Sequence, residues 1–461
     1  MSHVLVTGRG PELLRRATGS APLLPVLGVV AVLALPLGHG PGGGSGAGPA
    51  DAVSALAVLY CAVRLLRTRR RPLSRTAAVV LGLPVAGLAL AALHASSPGT
   101  ALAGLGRYLQ VFVLVPAAVV LLIRHRADFR MLARALVALA LWQGAVGIDQ
   151  YATGTGASYQ GQYIRAVGTF GPQDVMGMAT AVSFGLLCAV GLALGGAGRA
   201  ERTVATGCAV VLLVPLALSF SRGAWIATAV GCLAQLALAG LRRAVKVVAV
   251  VVAAGVVLVG GAGVGTERLQ ERLGSIGQVA DAPDQSVVDR YSLWAAAAGM
   301  WREHPLTGVG LKDFPEYRDG YAPLALSSGS DTEGAGAAFR RQPLLSPHNM
   351  YLLVLGEQGL IGLLALAGSW LALLVCALRG LHRARAAGAS GAAGVSGAGT
   401  DCALVSCGLL IWQSTDFVYA DIGGPSTVLT AVCLGLAAWW ALVGSEGTGS
   451  GSASAGEVPA R

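Results

Sequence analysis

Residues 347–377 read PHNMYLLVLGEQGLIGLLALAGSWLALLVCA, which is a polar tripeptide followed by a long, nearly unbroken apolar run. An α-helix rises about 1.5 Å per residue, so about 20 apolar residues cross the hydrocarbon core of a bilayer. The run at 349–377 therefore predicts a membrane-spanning helix, with His348 just before it. A histidine titrates near neutral pH, which makes His348 a candidate catalytic base at a membrane surface.

Apolar runs of this kind recur along nearly the whole chain. Of the 461 residues, 54% are hydrophobic and only 12% are charged, which is typical of a polytopic membrane protein and excludes an ordinary soluble one. Because the hydrocarbon offers no water to backbone N–H and C=O groups, each run must be helical. We predict an all-α membrane protein with about twelve spans, at residues 21–38, 50–66, 76–94, 107–123, 130–148, 174–195, 203–220, 223–240, 244–264, 349–377, 401–418 and 425–443.

The connections differ greatly in length and composition. One large loop, residues 265–348 between spans nine and ten, is rich in charges and aromatic residues, and a loop that long usually carries function. We predict that it forms a lid or catalytic loop of a single membrane domain, 21–443. Residues 386–400 and 444–461 are rich in Gly, Ala and Ser and are predicted to be a flexible linker and a disordered tail. Residues 1–20 precede an apolar run longer than a usual signal core, so a short N-terminal segment is favoured over a cleaved signal.

Charge predicts the orientation. Arginines crowd the connections after spans two, four, eight and ten, whereas the intervening short connections hold only Arg107, Arg165 and Arg222. The positive-inside bias places both termini and residues 386–400 in the cytoplasm, and the large loop on the external face of the cell membrane. The net charge of +10 follows from this topology, so no nucleic-acid partner is inferred. The eight cysteines all lie in predicted spans without metal-type spacing, and are expected to be small core residues.

Several short motifs occur in the second half of the predicted bundle. They are GTFGP at 168–172, SFSRGA at 219–224, HPLTGVG at 304–310, PHN at 347–349 and EQGLIG at 357–362. Together they resemble the motifs of the O-antigen ligase and O-antigen polymerase superfamily, over roughly residues 107–443. The chain departs from the family pattern after GTFGP, where Gln173 and Asp174 stand in the place of a frequent asparagine.

The resemblance implies a membrane glycosyltransferase that takes a glycan from a polyprenyl-pyrophosphate lipid on the outer face. The acceptor is a hydroxyl of another glycan, a lipid or a protein. The family needs no cofactor, nucleotide sugar or metal. Carried over by motif, Arg222 is the arginine between two spans, Arg290 the loop arginine and His348 the histidine at the end of the loop, and these three are the predicted catalytic residues.

The chemistry of the residues agrees with this implication. Negative charge develops on the pyrophosphate oxygen as the sugar leaves, and fixed arginines can neutralise it without a divalent cation. The attacking hydroxyl must lose a proton, and a histidine with a pKa of about 6.5 suits a general base near pH 7. Arg222 and Arg290 supply the first need and His348 the second.

Four further residues are predicted to bind substrate. Arg165 lies in the loop before span six, beside Tyr163, where it could contact the lipid phosphate or the glycan. His304 opens the HPLTGVG turn, and Tyr351 lies in the first turn of span ten. Glu357 lies below the membrane surface in span ten, so it is expected to face the bundle and pair with Arg222, or with His348 through water.

Each of these residues also has a structural explanation. Arg222 could be an interfacial anchor, and His348 or His304 could serve only at a helix end or turn. Arg290 could be a solvated charge or form a salt bridge with Asp289 or Glu303. Glu357 could belong to a structural ion pair.

Other classes of membrane protein compete with a transferase. A twelve-span secondary transporter or polysaccharide exporter fits the span count, but its site lies near the midplane and its external loop is rarely so large. A metal-dependent polyprenyl-phosphate sugar transferase presents acidic residues in its first external loop, where this chain has only Asp51. A peptidoglycan polymerase has a similar membrane body without the HPLTGVG and PHN motifs, and a non-catalytic membrane protein is the remaining alternative.

Overall fold

The computed structural model describes residues 21–36, 48–68, 73–159, 161–195, 198–242, 245, 285–389, 399–424 and 426–444, and these are mostly helical. In chain order the helices are α1 (Leu24–Val32), α2 (Pro49–Thr68), α3 (Arg75–Leu93), α4 (Pro98–Leu122), α5 (Arg126–Thr153), α6 (Gly177–Gly195), α7 (Arg199–Leu218), α8 (Arg222–Ala239), α9 (Gln285–Glu303), α10 (Phe314–Tyr321), α11 (Met350–Ala389), α12 (Thr400–Asp416) and α13 (Ser426–Trp439). The strands are β1 (Ala157–Tyr159), β2 (Gln162–Arg165), β3 (Ser330–Gly334) and β4 (Ala337–Gln342).

Within these ranges, nine helices are long and apolar enough to cross a membrane: α2 to α8, α11, and α13 with the turn that follows it. They correspond to predicted spans two to eight, ten and twelve. The first and eleventh predicted spans are shorter helices, since α1 has 9 residues and α12 has 17. The predicted ninth span, 244–264, lies almost wholly outside the described residues, as do 1–20, 265–284 and nearly all of 444–461, so the number twelve stays a prediction. The predicted linker 386–400 begins inside α11, which continues to Ala389.

The prediction of an all-α protein did not include a small antiparallel sheet that the structure contains. Its strand order is β2-β1-β3-β4, so a hairpin from the loop after α5 pairs with a hairpin from the large loop, through Ala157 and Gly334. Strands of three to six mixed polar residues carry too little alternation for a sequence pattern to detect. The sheet joins two loops that are far apart in the chain.

The membrane body is organised around three enclosed helices. Most of α6, α12 and α13 is buried, whereas α2 and α7 expose most of their length. Small residues allow the close approach: a Cβ on Gly185 would lie 2.2 Å from Cβ of Ala140 in α5, and one on Gly191 would lie 2.5 Å from Val405 in α12. Without a hydrophobic driving force between helices in lipid, such close backbone packing is a main source of association.

Two glutamines of α5 hold the GTFGP motif inside the bundle. Gln143 Oε1 accepts from the Thr169 amide at 2.9 Å, and its Nε2 donates to the Thr169 hydroxyl at 2.6 Å. Gln150 Oε1 accepts from the Val167 and Gly168 amides at 3.0 and 2.9 Å. Buried backbone N–H groups need hydrogen-bond partners. The two glutamine side chains supply the acceptors that water would provide to an exposed loop.

The helix α11 is broken near its start by the EQGLIG motif. Gly359 has φ 65° and ψ −163°, so the amides that follow it lose their carbonyls in the preceding turn. The HPLTGVG motif supplies the replacements: the Leu360 amide donates to the Pro305 carbonyl at 2.9 Å, and the Ile361 amide to the Leu306 carbonyl at 3.2 Å. We call residues 304–310 the plug.

The plug also donates to the carbonyls on the other side of the break. The Val309 amide donates to Gly356 O at 2.9 Å, and the Gly310 amide to Glu357 O at 3.1 Å. Gly308, at φ 69°, lies so close that a Cβ there would be 2.3 Å from the backbone carbon of Glu357. The two motifs therefore form one unit, in which a loop completes the hydrogen bonding of a broken helix.

The connections that carry the sheet, α9 and α10 lie at one end of the bundle, which we call the loop face. At the opposite end, Arg130 pairs with Asp401 and Arg134 with Glu201, so these arginines join α5 to α12 and to α7.

The plug can be tested by comparing two glycine substitutions. Gly308→Ala combines a left-handed backbone with a backbone clash, and it should lower the free energy of unfolding by about 2 to 4 kcal/mol. Gly154→Ala is the matched control, because Gly154 has φ 66° but nothing lies within 4 Å of its added Cβ, and strain alone costs about 1 kcal/mol. Melting curves of the purified protein in detergent measure both. Equal losses would contradict the role given to the plug.

Candidate active site

The turn between α12 and α13, residues 417–424, collects hydrogen bonds from several elements of the loop face. The Met350 amide donates to the carbonyls of Phe417 and Ala420, at 2.9 and 3.0 Å. Arg290 Nη1 donates to Tyr419 O at 3.1 Å, and Arg107 Nη2 donates to Gly424 O at 3.0 Å. We call this segment the α12–α13 turn. It brings the starts of α9 and α11 and the first half of α4 to one place.

His348 stands where the large loop meets α11. Its neighbours are structural: Pro347 O accepts from Trp294 Nε1 at 2.9 Å, and Asn349 Oδ1 accepts from the Leu352 amide at 3.0 Å, which caps the helix. His348 itself has φ 48°, a left-handed conformation that is uncommon for a residue other than glycine. Pro347 and Asn349 are buried, whereas His348 is partly exposed. The PHN motif thus fixes the backbone on both sides of His348.

The surroundings of His348 favour its neutral form. Burial of the ring lowers the pKa of His348 from 6.5, Asp421 acts in the opposite direction and raises it, and the positive charge of Arg290 lowers it further. The pKa lies below its ordinary value as a result. A neutral imidazole at pH 7 is the form that can accept a proton from a hydroxyl.

Arg290 lies in the second turn of α9, on the side that meets the α12–α13 turn. The acidic neighbours considered as its partners are engaged elsewhere. Asp289 accepts from the amide and hydroxyl of Ser327 at 2.8 and 2.7 Å, and the Glu303 carboxylate accepts from the Tyr321 hydroxyl at 2.5 Å. Asp289 therefore anchors the start of α9 to the large loop, which positions Arg290.

Arg222 is the first residue of α8 and follows a tight turn. The Ser221 hydroxyl caps the helix by accepting from the Ala224 amide at 3.4 Å, and a Cβ on Gly223 would lie 3.2 Å from Cβ of Tyr419. The start of α8 therefore touches the same turn whose carbonyl binds Arg290. Helix N-termini carry partial positive charge, which adds to that of Arg222.

Arg165 lies beneath the turn that precedes α8. Its Nε donates to Ser219 O at 3.2 Å, and the Ala166 amide donates to Leu218 O at 3.2 Å. Tyr159 of β1 stacks on Phe220 with ring centroids 5.0 Å apart and planes at 11°. These contacts make the first hairpin a support for the turn that carries Arg222. A substrate contact of Arg165 stays a prediction.

The other three predicted substrate-binding residues each make contacts with other parts of the protein. His304 is exposed, and its carbonyl accepts from the Gly308 amide at 3.0 Å within the plug. Tyr351 donates its hydroxyl to Ser414 O at 2.7 Å, which joins α11 to α12. Glu357 is 1% exposed and accepts from the Phe314 amide at 3.4 Å, beside the charge of Lys312. The structure therefore places Glu357 under the plug, with Lys312 as the neighbouring charge where Arg222 or His348 was expected.

Sequence reasoning missed two carboxylates on the α12 side of the site. Asp416 ends α12 and is 5% exposed, and Asp421 lies in the α12–α13 turn. Both have a buried carboxylate oxygen without a hydrogen-bond partner among the described residues. Asp416 lies at the end of a predicted span, where an acidic residue is itself a signal of function. Among the described residues, this site included, no group of three or more His, Cys, Asp or Glu is placed to hold a metal ion.

Comparison with known proteins links part of the chain to a described family. Residues 207–367 match a family model described as O-antigen ligase, and no curated protein matches the chain. The matched range runs from α7 into α11 and contains Arg222, Arg290 and His348, but it stops before the α12–α13 turn. Over this range the match confirms that the protein, a membrane protein with many apolar helices, resembles the O-antigen ligase and polymerase superfamily.

Proposed function

We propose that the protein transfers a glycan from a polyprenyl-pyrophosphate donor to an acceptor hydroxyl at the external face of the cell membrane. The observation that carries the proposal is the convergence of Arg290, His348 and the start of α8 on the α12–α13 turn. These elements come from three separate parts of the chain. The range that matches the O-antigen ligase model includes Arg222, Arg290 and His348. The acceptor is a glycan, a lipid or a protein.

The two arginines serve the donor. As the bond between the sugar and the pyrophosphate breaks, negative charge grows on the leaving oxygen, and Arg290 and Arg222 supply positive charge from α9 and from the start of α8, which both contact the same turn. The guanidinium groups need no metal or nucleotide to neutralise a pyrophosphate. The polyprenyl tail lies among the spans, so the pyrophosphate is presented at the loop face.

His348 serves the acceptor. The acceptor oxygen attacks the anomeric carbon, a new C–O bond forms, and the bond to the pyrophosphate oxygen breaks. The proton of the hydroxyl passes to the unprotonated ring nitrogen of His348, and polyprenyl pyrophosphate leaves. A base of this kind contributes about 10² to 10⁴ in rate.

The charge pattern supports the orientation. Arg130 and Arg134 form ion pairs at the end of the bundle opposite the loop face, close to the arginine-rich connection that precedes α5. By the positive-inside bias this end is cytoplasmic, with both termini, and the loop face is external. A lipid-linked glycan displayed outside the cell would then reach the site directly.

Alanine replacements of His348 and Arg222 test the assignment of roles. In proteoliposomes supplied with lipid-linked glycan and acceptor from membranes of a strain lacking the protein, each should lower the release of polyprenyl pyrophosphate by about 10² or more. Arg340→Ala on β4 is the control, because Arg340 is an exposed arginine of the same face. Near-normal transfer by either variant, in protein that inserts normally, would remove that residue from the mechanism and favour a transporter.

Substitutions of Arg290 test whether its planar guanidinium group is needed or whether a positive charge at this position is sufficient. Arg290→Lys keeps the charge but loses the planar fork that binds the Tyr419 carbonyl and a phosphate together. We expect Arg290→Lys to raise the KM for the lipid donor about tenfold and Arg290→Ala to raise it further. If the lysine variant has wild-type kinetics, a charge at this place is sufficient and the clamp geometry is wrong.

The pH dependence of transfer follows from the environment of His348. Its pKa is lowered from 6.5, chiefly by burial, so the neutral base persists below that pH. The rate should therefore stay level as the pH falls from about 7, and the midpoint of its acid limb should lie below about 6.5. A pH series of kcat in proteoliposomes measures the midpoint. A midpoint above that value would show that His348 is not the titrating base.

A further inference from the structure

Two charged residues that stand out in the sequence have no part in the proposed mechanism. Asp51 is the carboxylate of the first external connection, and Arg107 is one of the few arginines on the arginine-poor side of the membrane. The structure brings them together: Arg107 Nη1 donates to Asp51 Oδ1, which joins α4 to the first turn of α2. Charged side chains within spans are rare, and they are usually paired or functional.

Polar side chains fix the orientation of this pair. Gln110 Nε2 donates to Asp51 Oδ1 at 3.1 Å and to Ser54 Oγ at 2.7 Å, and Gln110 Oε1 accepts from Arg107 Nη1 at 3.2 Å. The Gly48 amide donates to Asp51 Oδ2 at 2.8 Å. The bonding of α4 changes to that of a π-helix at Gln110, an irregularity that is frequent at functional sites. A network whose members are all bonded holds each of them in one orientation.

The other arm of the Arg107 guanidinium binds the α12–α13 turn. While Nη1 is bound to Asp51, Nη2 donates to Gly424 O at 3.0 Å. On the opposite side of this residue, Asp174 Oδ2 accepts from the Ser426 amide at 3.0 Å, and a Cβ on Gly424 would lie 2.6 Å from that oxygen. The end of the turn is therefore held between α4 and the segment that follows the GTFGP motif.

The two ends of the turn are bound by different arginines. Tyr419 O accepts from Arg290, and Gly424 O accepts from Arg107. Both carbonyls belong to one short segment, so a shift at Gly424 displaces the group that fixes Arg290. The Arg107 and Asp51 side chains are 23% and 14% exposed, and an ion pair so accessible contributes little to stability by itself. Its main effect is on the position of the turn.

We propose that Arg107 is a positioning residue for the lipid donor. Its guanidinium, oriented by Asp51, sets the position of the α12–α13 turn and thereby the position of Arg290 against the pyrophosphate. Arg107 does not touch the donor. A planar group with several N–H donors is needed, because one side chain must bind a carboxylate and a carbonyl in two directions. The inference rests on the proposed function, since it assigns a role to Arg107 in the same transfer.

Arg107→Lys separates the two bonds of the guanidinium. A lysine ammonium can keep the ion pair with Asp51 but cannot hold Gly424 O in the same geometry. We expect an unchanged melting temperature in detergent and a KM for the lipid donor about tenfold higher, because a small displacement of a binding group is costly. Arg134→Lys is the matched control, since Arg134 pairs with Glu201 at the opposite end of the bundle. A wild-type KM in Arg107→Lys would overturn the inference, as would a higher KM accompanied by an equal loss of stability.

A double substitution tests whether Arg107 acts through the turn. Arg290→Lys alone is expected to raise the donor KM about tenfold. If both arginines act through one segment, Arg107→Lys should add little to the KM of Arg290→Lys, whereas independent residues would multiply their effects to about a hundredfold. A multiplied effect would overturn the inference.

Hydrogen exchange reports on the turn without turnover. The amides of Ser426 and Thr427 are both bonded at the end that Arg107 holds. Mass spectrometry of the peptide 417–427 should show faster exchange in Arg107→Lys than in the wild type or in Arg134→Lys. Equal rates would mean that Arg107 does not hold the turn, and the inference would fail. If the wild-type protein releases no polyprenyl pyrophosphate, the proposed function fails, while the exchange rates still decide whether Arg107 fixes the turn.

Discussion

The hydrogen bonds to the α12–α13 turn hold the loop face together. Three carbonyls of this turn are bound by the Met350 amide and by Arg290, and a fourth by Arg107, so α4, α9 and α11 are fixed relative to one another. Close packing of small residues makes the spans a rigid frame. The α12–α13 turn then fixes the ends of the loops on that frame, which positions the candidate residues.

The motifs that carry the family resemblance divide into two kinds. HPLTGVG and EQGLIG are structural, because the plug restores hydrogen bonds to a helix that Gly359 breaks, and the approach of the two backbones requires glycine at 308 and 359. GTFGP is likewise held by Gln143 and Gln150. PHN and SFSRGA are different, because their flanking residues are engaged in caps and buried contacts, while His348 lies two residues before α11 and Arg222 begins α8. A motif can therefore mark either a backbone requirement or a chemical group, and only the contacts separate the two.

Local sequence predicted the parts of the fold that local physics determines. Apolar length placed the helices α2 to α8, α11 and α13, and motif matching selected Arg222, Arg290 and His348, which the structure brings to one turn. The sheet was missed because its central pairing joins Ala157 to Gly334, which no local pattern reports. Glu357 was predicted to pair with Arg222 or His348 because of its depth in span ten. That depth does not reveal that Lys312 approaches from the loop after the plug. Asp421 was missed for the same reason, since the burial of its carboxylate depends on how distant elements pack against the α12–α13 turn.

Two of the four left-handed residues other than glycine in the described ranges lie at or beside the candidate residues. Phe220 and His348 have φ of 49° and 48°, and each lies within two residues of the start of a helix, α8 or α11. A left-handed conformation costs about 1 to 2 kcal/mol for such residues, so nearby contacts must offset it. The stack of Tyr159 on Phe220, and the Trp294 and Asn349 hydrogen bonds around His348, are placed to do so. The loops and the hairpin therefore act mainly to hold two short strained segments in place, and the position of Arg222 and His348 depends on those loops more than on the spans that follow them.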